Sequence, residues 1–159
     1  RVFDFGRGED GAPYMAMERL HGESLAARLE REGSLPPKDG ARLVITVLEA
    51  LAAAHALDVL HRDLKPENIF LAREGSGTVP KILDFGVSKI LGDDAERTKM
   101  TRTGAIIGTP AYMSPEQVMG ATVDLRSDLW AMGVILYELI SGRLPCEGKN
   151  YNEIGRAHV

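Results

Sequence analysis

The chain has 159 residues, 44% hydrophobic and 26% charged, with a formal net charge of −4 and a single cysteine. That length supports one domain with a real core, and the balance is ordinary for a soluble globular protein. The charge gives no basic footprint for nucleic acid or an anionic membrane. Cys146 alone cannot form an internal disulfide, which fits a reducing compartment.

No signal peptide pattern opens the chain, and it begins at Arg1 rather than Met, so its start is expected to be a truncation. No apolar run approaches the roughly 18 residues of a membrane span. The longest, residues 129–140, carries Glu138.

In chain order, residues 1–7 (Val2, Phe3, Phe5) read as a strand, Gly8-Glu9-Asp10-Gly11 as a turn and residues 13–18 as a second strand, together a hairpin. Gly22 breaks the chain, and Ser24 can cap a short helix through about Arg31. Gly33-Ser34-Leu35-Pro36-Pro37 is a turn whose proline suits the start of the next helix. Residues 38–57 place Ala41, Val44, Leu48, Leu51 and Ala54 at three- and four-residue steps, an amphipathic helix. At 1.5 Å per residue it would be roughly 30 Å long, the thickness of a small domain. His55 on this helix reads as a packed or partly solvated residue without a catalytic role.

Residues 61–68, His-Arg-Asp-Leu-Lys-Pro-Glu-Asn, concentrate chemistry. Asp63 can accept a proton from a hydroxyl nucleophile, and Lys65 can neutralise a transferring phosphoryl group. Asn68 offers a hard oxygen to Mg²⁺. A short apolar strand follows at 69–71, then a flexible tip at 74–77 and a strand at 81–83 that runs into Asp84-Phe85-Gly86, where Asp84 supplies a second metal-ligand candidate. Residues 92–108 show no apolar periodicity, the mark of a functional or disordered loop. Residues 124–141 are the most hydrophobic stretch, apolar nearly all round, and are expected to form a buried helix ended by Ser141-Gly142.

His-Arg-Asp-Leu-Lys-Pro-Glu-Asn followed by Asp-Phe-Gly resembles the catalytic loop and metal loop of eukaryotic-type serine/threonine protein kinases, with a bacterial flavour in the tight loops and the Glu-Gln after Pro115. Either motif alone would mean little; their order and the strand-length apolar run before each make the signal specific. The resemblance implies an α+β, protein-kinase-like fold: the end of the small lobe, hairpin and hinge, in residues 1–20, and part of the mainly helical large lobe in residues 21–153. It implies ATP and Mg²⁺ as cofactors, with Asp63, Lys65, Asn68 and Asp84 catalytic and Asn68 and Asp84 on the metal.

It also implies nucleotide contacts at Met17, the backbone of Glu18 and Leu20, Phe70 beneath the adenine ring, and Leu83. His61 would pack under Phe85, and Asp128 would bond the backbone of the catalytic loop. Arg62 would clamp a phosphorylated activation loop, with Thr98, Thr101 and Thr103 as the modified residues. Gly108-Thr109-Pro110-Ala111-Tyr112-Met113-Ser114-Pro115-Glu116 resembles the substrate-docking segment, Thr109 orienting a Ser or Thr acceptor. Ser114 stands where many members have alanine, a change that reads as minor.

The glycine-rich loop, the strand lysine and its helix glutamate partner are not found in these 159 residues, and neither are the late large-lobe helices that would give Glu116 its arginine. The chain by itself is therefore expected to be inactive, and its parent to be a cytoplasmic enzyme acting on protein Ser or Thr, with no nucleic-acid partner. A nucleotide-binding pseudokinase or scaffold is the alternative, and the docking segment disfavours a small-molecule phosphotransferase. Residues 154–159, Ile-Gly-Arg-Ala-His-Val, have no helical or strand pattern, and their back-translation can spell a common sequencing adapter. They are expected to be a non-native tail.

Overall fold

The computed structural model describes residues 2–75, 77–85 and 110–146. The expected hairpin is formed by β1 (Val2–Arg7) and β2 (Pro13–Met17), antiparallel, with Arg7 opposite Pro13. Its turn closes through Gly8 N–H to the Ala12 carbonyl at 2.8 Å and Gly11 N–H to the Gly8 carbonyl at 2.9 Å. Gly11 takes a φ of 78°, which glycine adopts without penalty.

A second antiparallel sheet has the order β3 (Gly22–Ser24), β4 (Ile69–Glu74), β5 (Gly77–Ile82). Here the sequence expectation is corrected. Gly22 does more than break the chain: it pairs with Ala72 and opens a strand. A Cβ on Gly22 would lie 2.0 Å from the Leu71 carbonyl oxygen, so only glycine permits this approach. The β4–β5 ladder also runs further than expected, from Ile69 opposite Ile82 to Glu74 opposite Gly77, so both ends of the expected tip are themselves paired.

Ser24 caps α1 (Leu25–Glu32) as expected, its Oγ accepting from Ala27 N–H at 3.1 Å. The long helix α2 (Pro37–His55) starts on a proline, whose missing N–H costs nothing in a first turn, and buries Val44, Val47 and Leu51 along one stripe. A four-residue helix α3 (Pro115–Val118), unforeseen in the sequence, follows Ser114. The last helix, α4 (Leu125–Ser141), is capped by Asp124, whose carboxylate accepts from Arg126 N–H at 2.9 Å, and ends at Gly142 with φ 70°.

The core lies where α1, α2, α4 and β4 meet: Leu25, Val47, Leu51, Ile69, Met132, Ile135 and Leu139 are all within 2% of complete burial. Each such side chain contributes about 1.5–3 kcal/mol by leaving water. The expectation that α4 is buried all round is corrected: Leu125, Leu129, Trp130, Tyr137 and Ile140 are 38–46% exposed. Among the described residues, α2 and the short turn at Pro110–Tyr112 cover one face of α4, so its apolar character divides into a covered stripe and an exposed one.

Candidate active site

The loop of residues 61–68 leaves α2 and ends in a 3-10 turn, Pro66–Asn68, that leads into β4. It is held from beneath by Asp128, in the first turn of α4 and 1% exposed. One Asp128 oxygen accepts from Arg62 N–H at 2.8 Å; the other accepts from His61 N–H at 3.0 Å. The expected backbone anchor is thus observed. The same second oxygen lies 2.8 Å from Nε2 of His55. His55, which local sequence left without a role, therefore belongs to the support of this loop.

His61 is 1% exposed and packs edge-on against Phe85, ring centroids 5.1 Å apart, as the resemblance implies. Its Nε2 lies 2.8 Å from the Leu83 carbonyl oxygen, and its Nδ1 accepts from Asp63 N–H at 3.3 Å. A carbonyl can only accept and a backbone N–H can only donate, so these partners match a neutral ring carrying its proton on Nε2.

Two candidate residues converge on the carboxylate of a third, Asp63. Lys65 Nζ lies 3.1 Å from Asp63 Oδ2, and Asn68 Nδ2 donates to the same oxygen at 3.2 Å and to the Asp63 backbone carbonyl at 2.8 Å. Both side-chain partners share Oδ2, so Oδ1 is committed to neither. The Asp63 side chain is 60% exposed, within reach of a substrate. Asp84 is brought to this group by the backbone: Leu83 N–H donates to the Asn68 carbonyl at 2.8 Å. Asp84 and Arg62 both hold φ in the left-handed region, at 58° and 69°, which is uncommon outside glycine and concentrates at functional sites.

Of the segment expected to dock substrate, residues 110–116 are described: a short turn at Pro110–Tyr112, then Ser114 at the start of α3. Ser114, dismissed as a minor change, is completely buried, and its hydroxyl and N–H both bond Gln117 Oε1, at 3.2 and 3.0 Å. Gln117 Nε2 in turn donates to the Arg62 carbonyl at 2.6 Å. Glu116, expected to lack its partner, accepts a hydrogen bond from Ser127, which holds its carboxyl below the usual range. Tyr112 donates to Glu138 at 2.7 Å; burial first, then this partner, pushes its hydroxyl far above the usual phenol value. These two residues line a groove of about 330 Å³ together with Glu30 and Glu67.

On the nucleotide side, Phe70 sits in β4 opposite Lys81, with its ring beside Gly22. Lys81 lies 3.7 Å from Glu18, so the end of β2 and β5 come together. Leu20, Phe70 and Leu83 are half-buried, while Met17 is 53% exposed and fills no core. Thr98, Thr101, Thr103, Thr109, Gly86 and residues 154–159 lie outside the described residues.

Sequence comparison agrees with the geometry. The profile of the protein kinase domain matches residues 5–159. The serine/threonine-protein kinase pkn3 of Myxococcus xanthus is 49% identical over 159 residues, covering 99% of this chain and 29% of the relative. The serine/threonine-protein kinase pkn2 of the same organism is 43% identical, covering 93% of this chain and 18% of the relative. The serine/threonine-protein kinase PknB of Mycobacterium leprae is 35% identical, covering 99% and 25%. The chain belongs to the protein kinase domain family. It spans less than a third of the length of these relatives.

Proposed function

We propose that the protein containing this chain transfers the γ-phosphoryl group of ATP to Ser or Thr of protein substrates. The observation that carries this reading is the meeting of Lys65 and Asn68 on one oxygen of an exposed Asp63, with Asp84 tied alongside through Leu83. In this reading the Asp63 carboxylate takes the hydroxyl proton as the acceptor oxygen attacks the γ-phosphorus and ADP leaves. Lys65 offsets negative charge on the transferring group.

The donor set fits Mg²⁺. Asn68 uses its amide N–H on Asp63, which leaves Oδ1, and Asp84 carries an exposed carboxylate; both are hard oxygens. Among the described residues no group of three or more His, Cys, Asp or Glu could hold a metal alone. One carboxylate with one amide suits an ion that keeps phosphate oxygens and water. Bound there, Mg²⁺ supplies charge neutralisation at the phosphates.

Met17, Glu18, Leu20, Phe70 and Leu83 are assigned to the nucleotide in this reading, and Thr109 to the acceptor. Residues 1–20 form the small-lobe hairpin and hinge, and residues 21–153 part of the large lobe. Arg62 clamps a phosphate on Thr98, Thr101 or Thr103, and mass spectrometry of active protein tests those three sites. The family and the single cysteine favour the cytoplasm for this domain. No helix among the described residues is long and apolar enough to cross a membrane.

The deciding experiment is phosphate transfer from labelled ATP by the full-length protein, to itself or to a general protein acceptor, with Asp63→Asn in parallel. Transfer should fall by about 10²-fold or more in the variant. Nucleotide binding without transfer by the unaltered protein would point to the pseudokinase alternative instead.

A further inference from the structure

Arg62 is pinned on both sides. Its N–H is taken by Asp128 at 2.8 Å and its carbonyl by Gln117 at 2.6 Å, while its φ of 69° is one that L residues avoid. The first anchor comes from α4 and the second from α3, so two separate segments set the peptide that leads directly into Asp63. The orientation of the Gln117 amide is unambiguous. The Arg62 carbonyl can only accept, so it faces the NH₂; the Ser114 N–H can only donate, so it faces the oxygen.

We propose that Gln117 is a positioning residue for the loop of residues 61–68, its amide transmitting the position of the buried Ser114 to the Arg62 carbonyl and hence to the Asp63 carboxylate. The kinetic part of this proposal rests on the phosphotransfer reading above. The geometry supports a directional chain: Ser114 N–H and hydroxyl fix Oε1, and the planar amide then aims Nε2 at Arg62. If the docking segment moves, Arg62 loses the hydrogen bond that helps hold its left-handed backbone. A segment expected to read the substrate would in this way set the base that acts on it. A group misplaced by even a fraction of an ångström loses much of its contribution to a reaction that depends on orientation.

The rival role is simple capping of α3, and isosteric variants of the full-length protein separate the two. Gln117→Glu keeps an oxygen for Ser114 but presents an acceptor to the Arg62 carbonyl, so the cap survives and the link is lost. Gln117→Met removes both, and Ser114→Ala weakens the cap while leaving the donor to Arg62. The expected result is a kcat about tenfold lower in Gln117→Glu and Gln117→Met, the loss of roughly one hydrogen bond's worth of orientation. The KM for ATP should stay within about twofold in both, because the nucleotide contacts are elsewhere. Ser114→Ala should show a smaller fall in kcat than either.

Amide hydrogen exchange of a peptide spanning residues 60–66 is followed in the same proteins, because it reports the loop whether or not phosphate is transferred. Exchange should be faster in Gln117→Glu than in the unaltered protein at equal melting temperature. Unchanged exchange in Gln117→Glu overturns the proposal, as does a kcat loss that follows melting temperature across all three variants. If the unaltered protein transfers no phosphate, the functional reading fails on its own and the exchange comparison still decides the role of Gln117.

Discussion

Nε2 of His61 lies 2.8 Å from the carbonyl oxygen of Leu83, so a side chain from the first motif holds the backbone that runs into the second. Leu83 returns the link through its own N–H, which donates to the Asn68 carbonyl at 2.8 Å. Asp84 therefore inherits its position from hydrogen bonds at both ends of the 61–68 loop, and the edge-on Phe85 ring closes the contact.

His61→Ala should loosen this joint. It leaves the Leu83 carbonyl without its donor and opens space beneath Phe85. An unmet buried acceptor costs about 1–3 kcal/mol, and the lost packing adds to it. Urea unfolding of the full-length protein should show its unfolding free energy reduced by that amount, read as a lower midpoint at an unchanged slope. An unchanged midpoint would mean that the joint carries no stability.

Asp84→Ala should do the opposite, removing Mg²⁺-dependent turnover while the fold survives. The carboxylate is exposed and lies on a loop, where side chains serve function more than packing. Its φ of 58° adds a small penalty for alanine, about 1–2 kcal/mol for the left-handed conformation. Asp84→Asn avoids most of that penalty, since asparagine tolerates this region, and should be equally inactive with a melting temperature nearer the unaltered protein. Near-normal turnover in both variants at saturating Mg²⁺ would contradict the metal assignment.

Local pattern made part of this architecture legible. The three- and four-residue apolar steps located α2 to within two residues at each end, and Ser24 marks the start of α1 through its hydroxyl cap. Strand β3 was not legible, because Gly22-Glu23-Ser24 has no alternation and is a strand only by virtue of the ladder it joins on β4. His55 and Asp128 are 73 residues apart, so neither hints at the other. Ser114 beside Gln117 did carry a signal, the spacing of a capping box, but nothing local shows that the serine is buried or that Gln117 reaches Arg62. The motif residues were readable because their spacing reflects chemistry; their supports were not, because support comes from whichever distant side chain is nearest in space.

Gly40→Ala should stabilise the protein. Gly40 is buried inside α2, where glycine costs about 1 kcal/mol relative to alanine, and its close approach to α4 suggests that nothing larger would fit. The distances say otherwise: an added Cβ would lie 3.6 Å from Leu139 Cβ and 3.7 Å from Ile140 Cγ1, ordinary van der Waals contact. A gain of about 0.5–1 kcal/mol in urea unfolding is expected. A loss would show that the two helices need the gap.

Glu138 gives a prediction in which the sign depends on pH. Burial raises its carboxyl above the usual value, the nearby Glu67 carboxylate adds to this, and the hydrogen bond from Tyr112 opposes it without reversing it. A carboxyl whose folded value is raised binds its proton more readily in the folded state than in the unfolded one. Its ionised form therefore subtracts stability at neutral pH. That loss is recovered as pH falls through the raised folded value towards the unfolded one, and below both there is no further change.

Glu138→Gln cannot ionise, yet it can still accept from Tyr112. It should be the more stable protein near pH 7, with the difference from the unaltered protein narrowing as pH is lowered through the raised folded value towards the ordinary carboxylate range of about 4.3. Tyr112→Phe supplies the companion test. Without the hydroxyl the Glu138 carboxylate loses a hydrogen bond that favours its charge, so the gain from Glu138→Gln should be larger when it is combined with Tyr112→Phe. Urea midpoints of the unaltered protein, the two single variants and the double variant at several pH values measure all of this at once. A Glu138→Gln variant that is less stable at pH 7, or a gap that widens on acidification, would show that the Tyr112 hydrogen bond outweighs burial at this site.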